Sequence, residues 1–250
     1  MQSVRILKVM TDQLLVSKLS RPAQVLAVIV LSLAAATSLS AQAAGSAGSQ
    51  PTKVLDTTAL HPPKGATVAI VEFSDLECPA CAHANPVLKD AAAKYKIPWV
   101  RRDYLIPAHP WSKTAAVNAR WFDTLGNGAG DAYRDAVFAS QQTIYNVNVL
   151  ARFTENFASS HKIALPFAID PQSKLAGLVM TDNDLGKKTG VQHTPTIFIV
   201  YKGSKGDQYL EVENADRDLY KTIDMALAEA KQAAPAVHAA AAPVHHTAKK

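Results

Sequence analysis

The hydrophobic period of the chain changes several times, and each change marks an element. Thr67 to Phe73 is an apolar run rich in β-branched residues and bounded by Gly65, which predicts a buried strand. After Cys78 the period becomes helical, with Val87, Leu88, Ala91, Ala92 and Tyr95 on one face. Pro79 suits the first helical position, where a missing N–H costs nothing. Ile97 to Tyr104 predicts a second strand with Pro98 near its start. Strand, helix and strand in this order predict a βαβ unit with parallel pairing. A long helical stretch follows: Ser112 to Leu125, a piece capped by Asp131 and running to about Gln142, Asn148 to Lys162, and a last piece from after Asp170-Pro171 to about Lys188. Its aromatic residues (Trp121, Phe122, Tyr133, Phe138, Phe153, Phe157) are expected to pack these helices together rather than hold a cofactor. Thr196 to Tyr201 returns to the strand pattern, with a hairpin turn at Lys202 to Gly206 and a partner from Gln208 to Val212. Asp216 to Lys231 closes the body as an amphipathic helix with Leu219, Ile223, Leu227 and Ala230 on one face.

The two ends differ from this body. Met1 to Arg21 carries four basic residues against the single acid Asp12, Ala23 to Ala36 is apolar, and Ala41-Gln42-Ala43 offers an A-x-A cleavage site. That layout predicts a signal peptide over residues 1–43, with export and cleavage after Ala43. An uncleaved anchor is the alternative, although the uninterrupted apolar part is shorter than the roughly 18 residues that argue for a span. Residues 44–51 read as a flexible linker, the body begins near Thr52, and the Ala/Pro/His/Lys-rich segment 232–250 reads as a disordered tail. The 250 residues can bury a substantial core in one or two domains. Much of the net charge of +5 comes from the ends. Between Thr52 and Lys231 no basic cluster interleaves with aromatics, so nucleic-acid binding is not expected.

Cys78-Pro79-Ala80-Cys81 holds the only two cysteines. Cys78 falls at a helix N-terminus, where orphan N–H groups and the positive end of the helix dipole favour a thiolate. Cys81 lies one turn further in. A structural zinc site would need two more ligands, and no second CxxC or HxxxH pair supplies them. His83, His109, His161 and His193 are scattered and read as ordinary histidines, so no metal is assigned. A structural disulfide across two residues would constrain no loop worth closing. Thiol–disulfide exchange is the leading chemistry. A non-enzymatic metal-handling module, using the two thiolates with His193 or the tail histidines on copper(I) or zinc, is the reading from a different class.

The segment Val71-Glu72-Phe73-Ser74-Asp75-Leu76-Glu77-Cys78-Pro79-Ala80-Cys81 resembles the active-site strand and helix start of DsbA-like thioredoxin-fold proteins. Gly190-Val191-Gln192-His193-Thr194-Pro195-Thr196 resembles the loop in which that family carries its cis-proline. Arg102-Asp103-Tyr104, Ala136 to Gln141 and Ala168-Ile169-Asp170 fall where the family has similar segments. Together they span about Ala66 to the last helix. The resemblance implies an α/β chain in which a thioredoxin fold, over residues 52–231, carries an inserted all-helical subdomain at about 107–189, between the CxxC half and the cis-proline half.

It also implies roles. Cys78 is the nucleophile and Cys81 the resolving thiol, and their disulfide is the only redox group, with no cofactor besides. Glu72 falls where such enzymes hold a buried acid that relays a proton to the resolving cysteine; a strand-end glutamate facing solvent is the alternative. Pro79 and Ala80 tune the thiolate and meet substrate. His193, Thr194 and Pro195 form the loop facing the cysteines, with Thr194-Pro195 cis and pairing with substrate backbone as an added strand; an ordinary trans proline is the alternative. DsbA has Pro-His between its cysteines, whereas this chain has Pro-Ala with Asp75 and Glu77 nearby, which implies a less extreme oxidant. His83 would offset that charge if it turned towards Cys78. The implied activity is an exported, periplasmic oxidase acting on reduced or unfolded exported proteins and recharged by a membrane reoxidase similar to DsbB. A same-fold isomerase or reductase served by a membrane reductant is the nearest rival. Too few residues precede the strand turn for a dimerisation domain, so a monomer is expected.

Overall fold

A computed structural model describes residues 51–240. The expected signal peptide, nearly all of the expected linker and the last ten residues of the expected tail lie outside the described residues. Four strands form one sheet in the order β2-β1-β3-β4: β1 Val68–Ser74, β2 Trp99–Asp103, β3 Thr196–Gly203 and β4 Gly206–Val212. β1 and β2 pair in parallel through the crossover helix α1 (Pro79–Tyr95), while β1/β3 and β3/β4 are antiparallel. The register sets Glu72 opposite Arg101 on one side and Ile197 on the other.

Both faces of the sheet are covered, which is why β1 and β3 read as unbroken apolar runs. On one face Val68, Ile70, Ile197 and Ile199 pack with Leu88 of α1 and with Leu219 and Ile223 of the last helix, α6 (Ala215–Ala240). On the other, Val71, Phe73, Phe198 and Val200 meet Leu60, Tyr104 and Val191. Thr52 donates from its N–H and its hydroxyl to the Glu211 carboxylate at 2.8 and 2.7 Å, so the segment before the sheet is docked from its start.

Between β2 and β3 stand four helices: α2 Ser112–Thr124, α3 Ala129–Ser140, α4 Val147–Ser160 and α5 Lys174–Thr189. The aromatic residues do pack them: Phe122 stacks on Tyr133 with centroids 4.6 Å apart, and both meet Phe157 edge-on. This core continues without a break to Leu76, Cys78 and Cys81. The insertion and the sulfur site share one apolar interior. Its seam with β2 is ionic. Arg120 of α2 binds Asp103 of β2 at 2.6 Å and also Asp182 of α5, and Arg102 of β2 binds Asp182 at 2.9 Å.

Three expected boundaries move. The second inserted helix begins at Ala129, capped by Gly128 and not by Asp131: Gly126, Asn127 and Gly128 all take positive φ, and that left-handed turn starts the helix three residues early. It ends at Ser140, and Gln141–Thr143 form a single 3₁₀ turn. The last helix runs to Ala240, past the expected end at Lys231 and through Pro235, with strong helix formers (Ala233, Ala234 and Ala236) on either side of the proline.

Candidate active site

β1 leads into α1 through Asp75-Leu76-Glu77. Cys78 is the N-cap with extended backbone (φ −80°, ψ 120°), and Pro79 opens the helix. Its position is fixed by backbone: Cys78 N–H donates to the Asp75 carbonyl at 3.0 Å, and Cys78 C=O accepts from Ala82 N–H at 3.1 Å. Cys78 and Cys81 are both free thiols, 7% and 0% exposed, while Pro79 and Ala80 are exposed. The Thr194–Pro195 bond is cis, and the Thr194 carbonyl lies 3.3 Å from Cys78 Sγ. The loop thus meets the nucleophile through its backbone. Half-buried His193 contributes a carbonyl to that loop, accepting from the Thr196 hydroxyl at 2.7 Å.

The acidities of the two thiols are driven in opposite directions. A hydrogen bond from the Cys81 thiol, helped by Thr194 and by the N–H groups of Cys81 and Ala80, brings the Cys78 thiol down to about 6 against the opposing effect of burial. Burial pushes the Cys81 thiol well up, as do its bond to Cys78 and the charge of Glu72. One sulfur is poised as a thiolate and the other as a thiol.

Glu72 sits in the middle of β1 and is 1% exposed; it does not face solvent. Burial raises its carboxyl above the usual range, opposed by the Arg101 guanidinium, by the nearby Ser74 side chain and by a 3.0 Å bond from the Trp99 indole N–H to Oε2. Glu72 and Cys81 feel each other's charge. The arrangement can therefore hold a proton next to the resolving sulfur.

The acidic residues before Cys78 are turned into the insertion. Asp75 accepts from the N–H groups of Glu77 and Ile106, each at 2.8 Å, and His109 Nδ1 lies 3.0 Å away. Glu77 accepts from the N–H groups of Trp111 and Ser112 at 2.8 and 2.9 Å, at the start of α2. The expected opposition of these charges to the thiolate is thereby blunted. His83 does not turn to Cys78; its ring lies 2.8 Å from Asp216 on α6 and is largely exposed. An open groove of about 620 Å³ runs from the exposed start of α1 to the end of α3, lined by Pro79, His83, Trp111, Phe138, Gln141 and Tyr145.

The structure adds Trp99, Gln141 and His109 to the residues singled out from sequence. Trp99 could have been found from the parallel register, which puts residue 99 diagonal to Glu72. The other two depend on how the insertion docks, which no local pattern encodes.

Comparisons with known proteins agree with this geometry. A family model described as "Thioredoxin" matches residues 63–240. Among solved structures, the α-DsbA1 of Wolbachia pipientis aligns at TM-score 0.54 and 16% identity, over 70% of this chain and 92% of that one. The reduced DsbA1 of Neisseria meningitidis aligns at TM-score 0.51 and 20% identity, over 77% and 99%. A Na(+)/H(+) antiporter, NhaA 3 of Salinispora tropica, is 27% identical over 155 residues, which are 61% of this chain but only 23% of that protein.

Proposed function

The chain belongs to the thioredoxin family, and from that premise we propose that it is a DsbA-like thiol–disulfide oxidoreductase that introduces disulfides into exported proteins. A substrate thiolate attacks Cys78 Sγ of the Cys78–Cys81 disulfide, and Cys81 leaves with the bonding electrons. A second substrate thiolate then attacks the substrate sulfur of the mixed disulfide. Cys78 leaves as a thiolate, so the substrate is oxidised and the site is reduced. The Thr194 and His193 backbone and the exposed Pro79-Ala80 edge receive the substrate chain, as an added strand that asks little of its sequence. A membrane reoxidase similar to DsbB would restore the disulfide. The protein would act in the periplasm as a monomer. Among the described residues no helix is long and apolar enough to cross a membrane.

One observation carries this reading: Cys78 stands at the N-cap of α1 with its Sγ 3.3 Å from the Thr194 carbonyl of the cis-proline loop, so that its thiol is brought down to about 6 while burial pushes that of Cys81 up. A stabilised thiolate favours the reduced site and so makes its disulfide an oxidant. The same site would also serve the second reading, an isomerase or reductase, which differs in the direction of exchange.

Equilibration of the protein with glutathione buffers separates the two. A reduction potential between about −120 and −200 mV is expected, weaker than DsbA but still oxidising; a value at or below about −200 mV overturns the oxidase in favour of reductase or isomerase work. A light-scattering mass on the same sample reads the monomer. Exchange that is absent altogether would return the two thiolates to metal handling.

A further inference from the structure

Glu72 is buried beneath the cysteines, yet its two oxygens are treated differently. Oε2 accepts the Trp99 indole N–H at 3.0 Å, while Oε1 is buried with no hydrogen-bond partner among the described residues. A buried carboxylate oxygen without a partner is costly and asks for a reason. The indole is itself held in place. The Arg101 guanidinium lies 3.7 Å over its ring centroid and is anchored to Asn85 of α1 at 2.9 Å and to Asp135 of α3 at 3.2 Å. Trp99 therefore cannot swing freely away from Glu72.

We propose that Trp99 is a positioning residue for proton transfer at Cys81, holding Glu72 through Oε2 so that Oε1 stays open to the Cys81 proton. The proposal rests on the exchange chemistry above. In resolution of a mixed disulfide, the Cys81 S–H proton passes to Oε1. The Cys81 thiolate attacks Cys78 Sγ, the bond from Cys78 to the bound thiol breaks, and that thiol leaves with the electron pair. In the oxidising direction, Cys81 leaves Cys78 as a thiolate and takes the proton back from the Glu72 carboxyl. The indole is a donor only, so it favours the carboxylate that remains after the proton has moved to sulfur. The groups that face Glu72 are Ser74 two residues along β1, Trp99 and Arg101 from β2, and Cys78 and Cys81 at the start of α1, whereas its partner on β3 is the apolar Ile197.

The test is the rate at which Cys81 resolves a Cys78–glutathione mixed disulfide, quenched with acid and read by mass spectrometry as a function of pH. W99F keeps an aromatic ring under Arg101 but removes the N–H. It is expected to move the midpoint of the rate profile to higher pH by about one unit, the worth of one hydrogen bond to a charged acceptor. The Cys78 thiolate absorbance, read in the C81A background, should titrate as before. In the E72Q background W99F should have no further effect, since both changes act through one carboxyl. An unmoved profile in folded W99F, or a shift that persists in E72Q, overturns the proposal. Failure of the wild-type protein to resolve the mixed disulfide at any pH would instead sink the exchange reading beneath it.

Discussion

Two sets of buried carboxylates flank β2, and they are treated in opposite ways. At the seam with the insertion, Asp103 and Asp182 are wrapped by Arg120 and Arg102, with further help from the Asp103 N–H. Beneath the cysteines, Glu72 has one neutral indole donor, an arginine engaged elsewhere, and one oxygen without a partner. The arginine-paired acids fasten two parts of the molecule. The half-satisfied acid lies against a sulfur whose proton has to move. Saturation, more than burial, separates an acid that holds structure from one placed to react.

The largest effect that tests this contrast lies at the seam. R120A leaves Asp103 and Asp182 short of a guanidinium that is only 20% exposed, and should cost about 3 kcal/mol in urea unfolding. The reduction potential of the folded protein should not move. A loss below about 1 kcal/mol would show that the seam is no fastener.

E72Q tests the other side and has the opposite sign. The folded-state carboxyl of Glu72 is raised by burial, so folding takes up a proton there. Its contribution to stability is full below the ordinary glutamate range and is lost as pH rises through the raised value. E72Q removes that loss. The stability difference between E72Q and the parent should therefore grow in favour of E72Q from about pH 4 towards neutrality, as thermal melts across pH would record. A difference that stays flat with pH would show that burial does not raise the Glu72 carboxyl in the folded protein.

The smallest effect belongs to an exposed pair. H83A removes the contact with Asp216, whose partners are 74% and 53% exposed, and surface pairs of this kind contribute little. The melting temperature should barely change, and the Cys78 thiolate absorbance should still titrate at about 6. A displaced midpoint would mean that His83 reaches the sulfur after all.

Much of this arrangement was readable in the chain itself. β1 and α1 follow from an abrupt change of period, and Pro79 with Cys78 marks the helix start, because those signals are local. The burial of Glu72 was implied only by the family resemblance, with a solvent-facing glutamate left open, because a lone acid in a strand does not by itself say which way it points. The start of α3 misled, since Asp131 is a good cap by composition while the positive-φ turn at Gly126 to Gly128 decided the boundary. The directions of Asp75 and Glu77 were not fully readable, because apart from the local Glu77 N–H the donors they accept from, at Ile106, Trp111 and Ser112, are distant in sequence. Trp99 lay between these cases: its register was inferable, but the rotation of its indole depends on Arg101, which α1 and α3 hold.

The three residues that deliver Cys78 are each tied to a different part of the insertion. Asp75 takes the Ile106 N–H, the Leu76 carbonyl takes the Gln141 side-chain amide at 2.9 Å, and Glu77 takes the first N–H groups of α2. The nucleophile thus stands on a tripod whose feet lie far along the chain from its apex. Its motif is consequently not portable. Grafted into a thioredoxin scaffold without the insertion, Cys78-Pro79-Ala80-Cys81 would keep its helix and lose all three feet, and the sulfur would inherit the geometry of its new host.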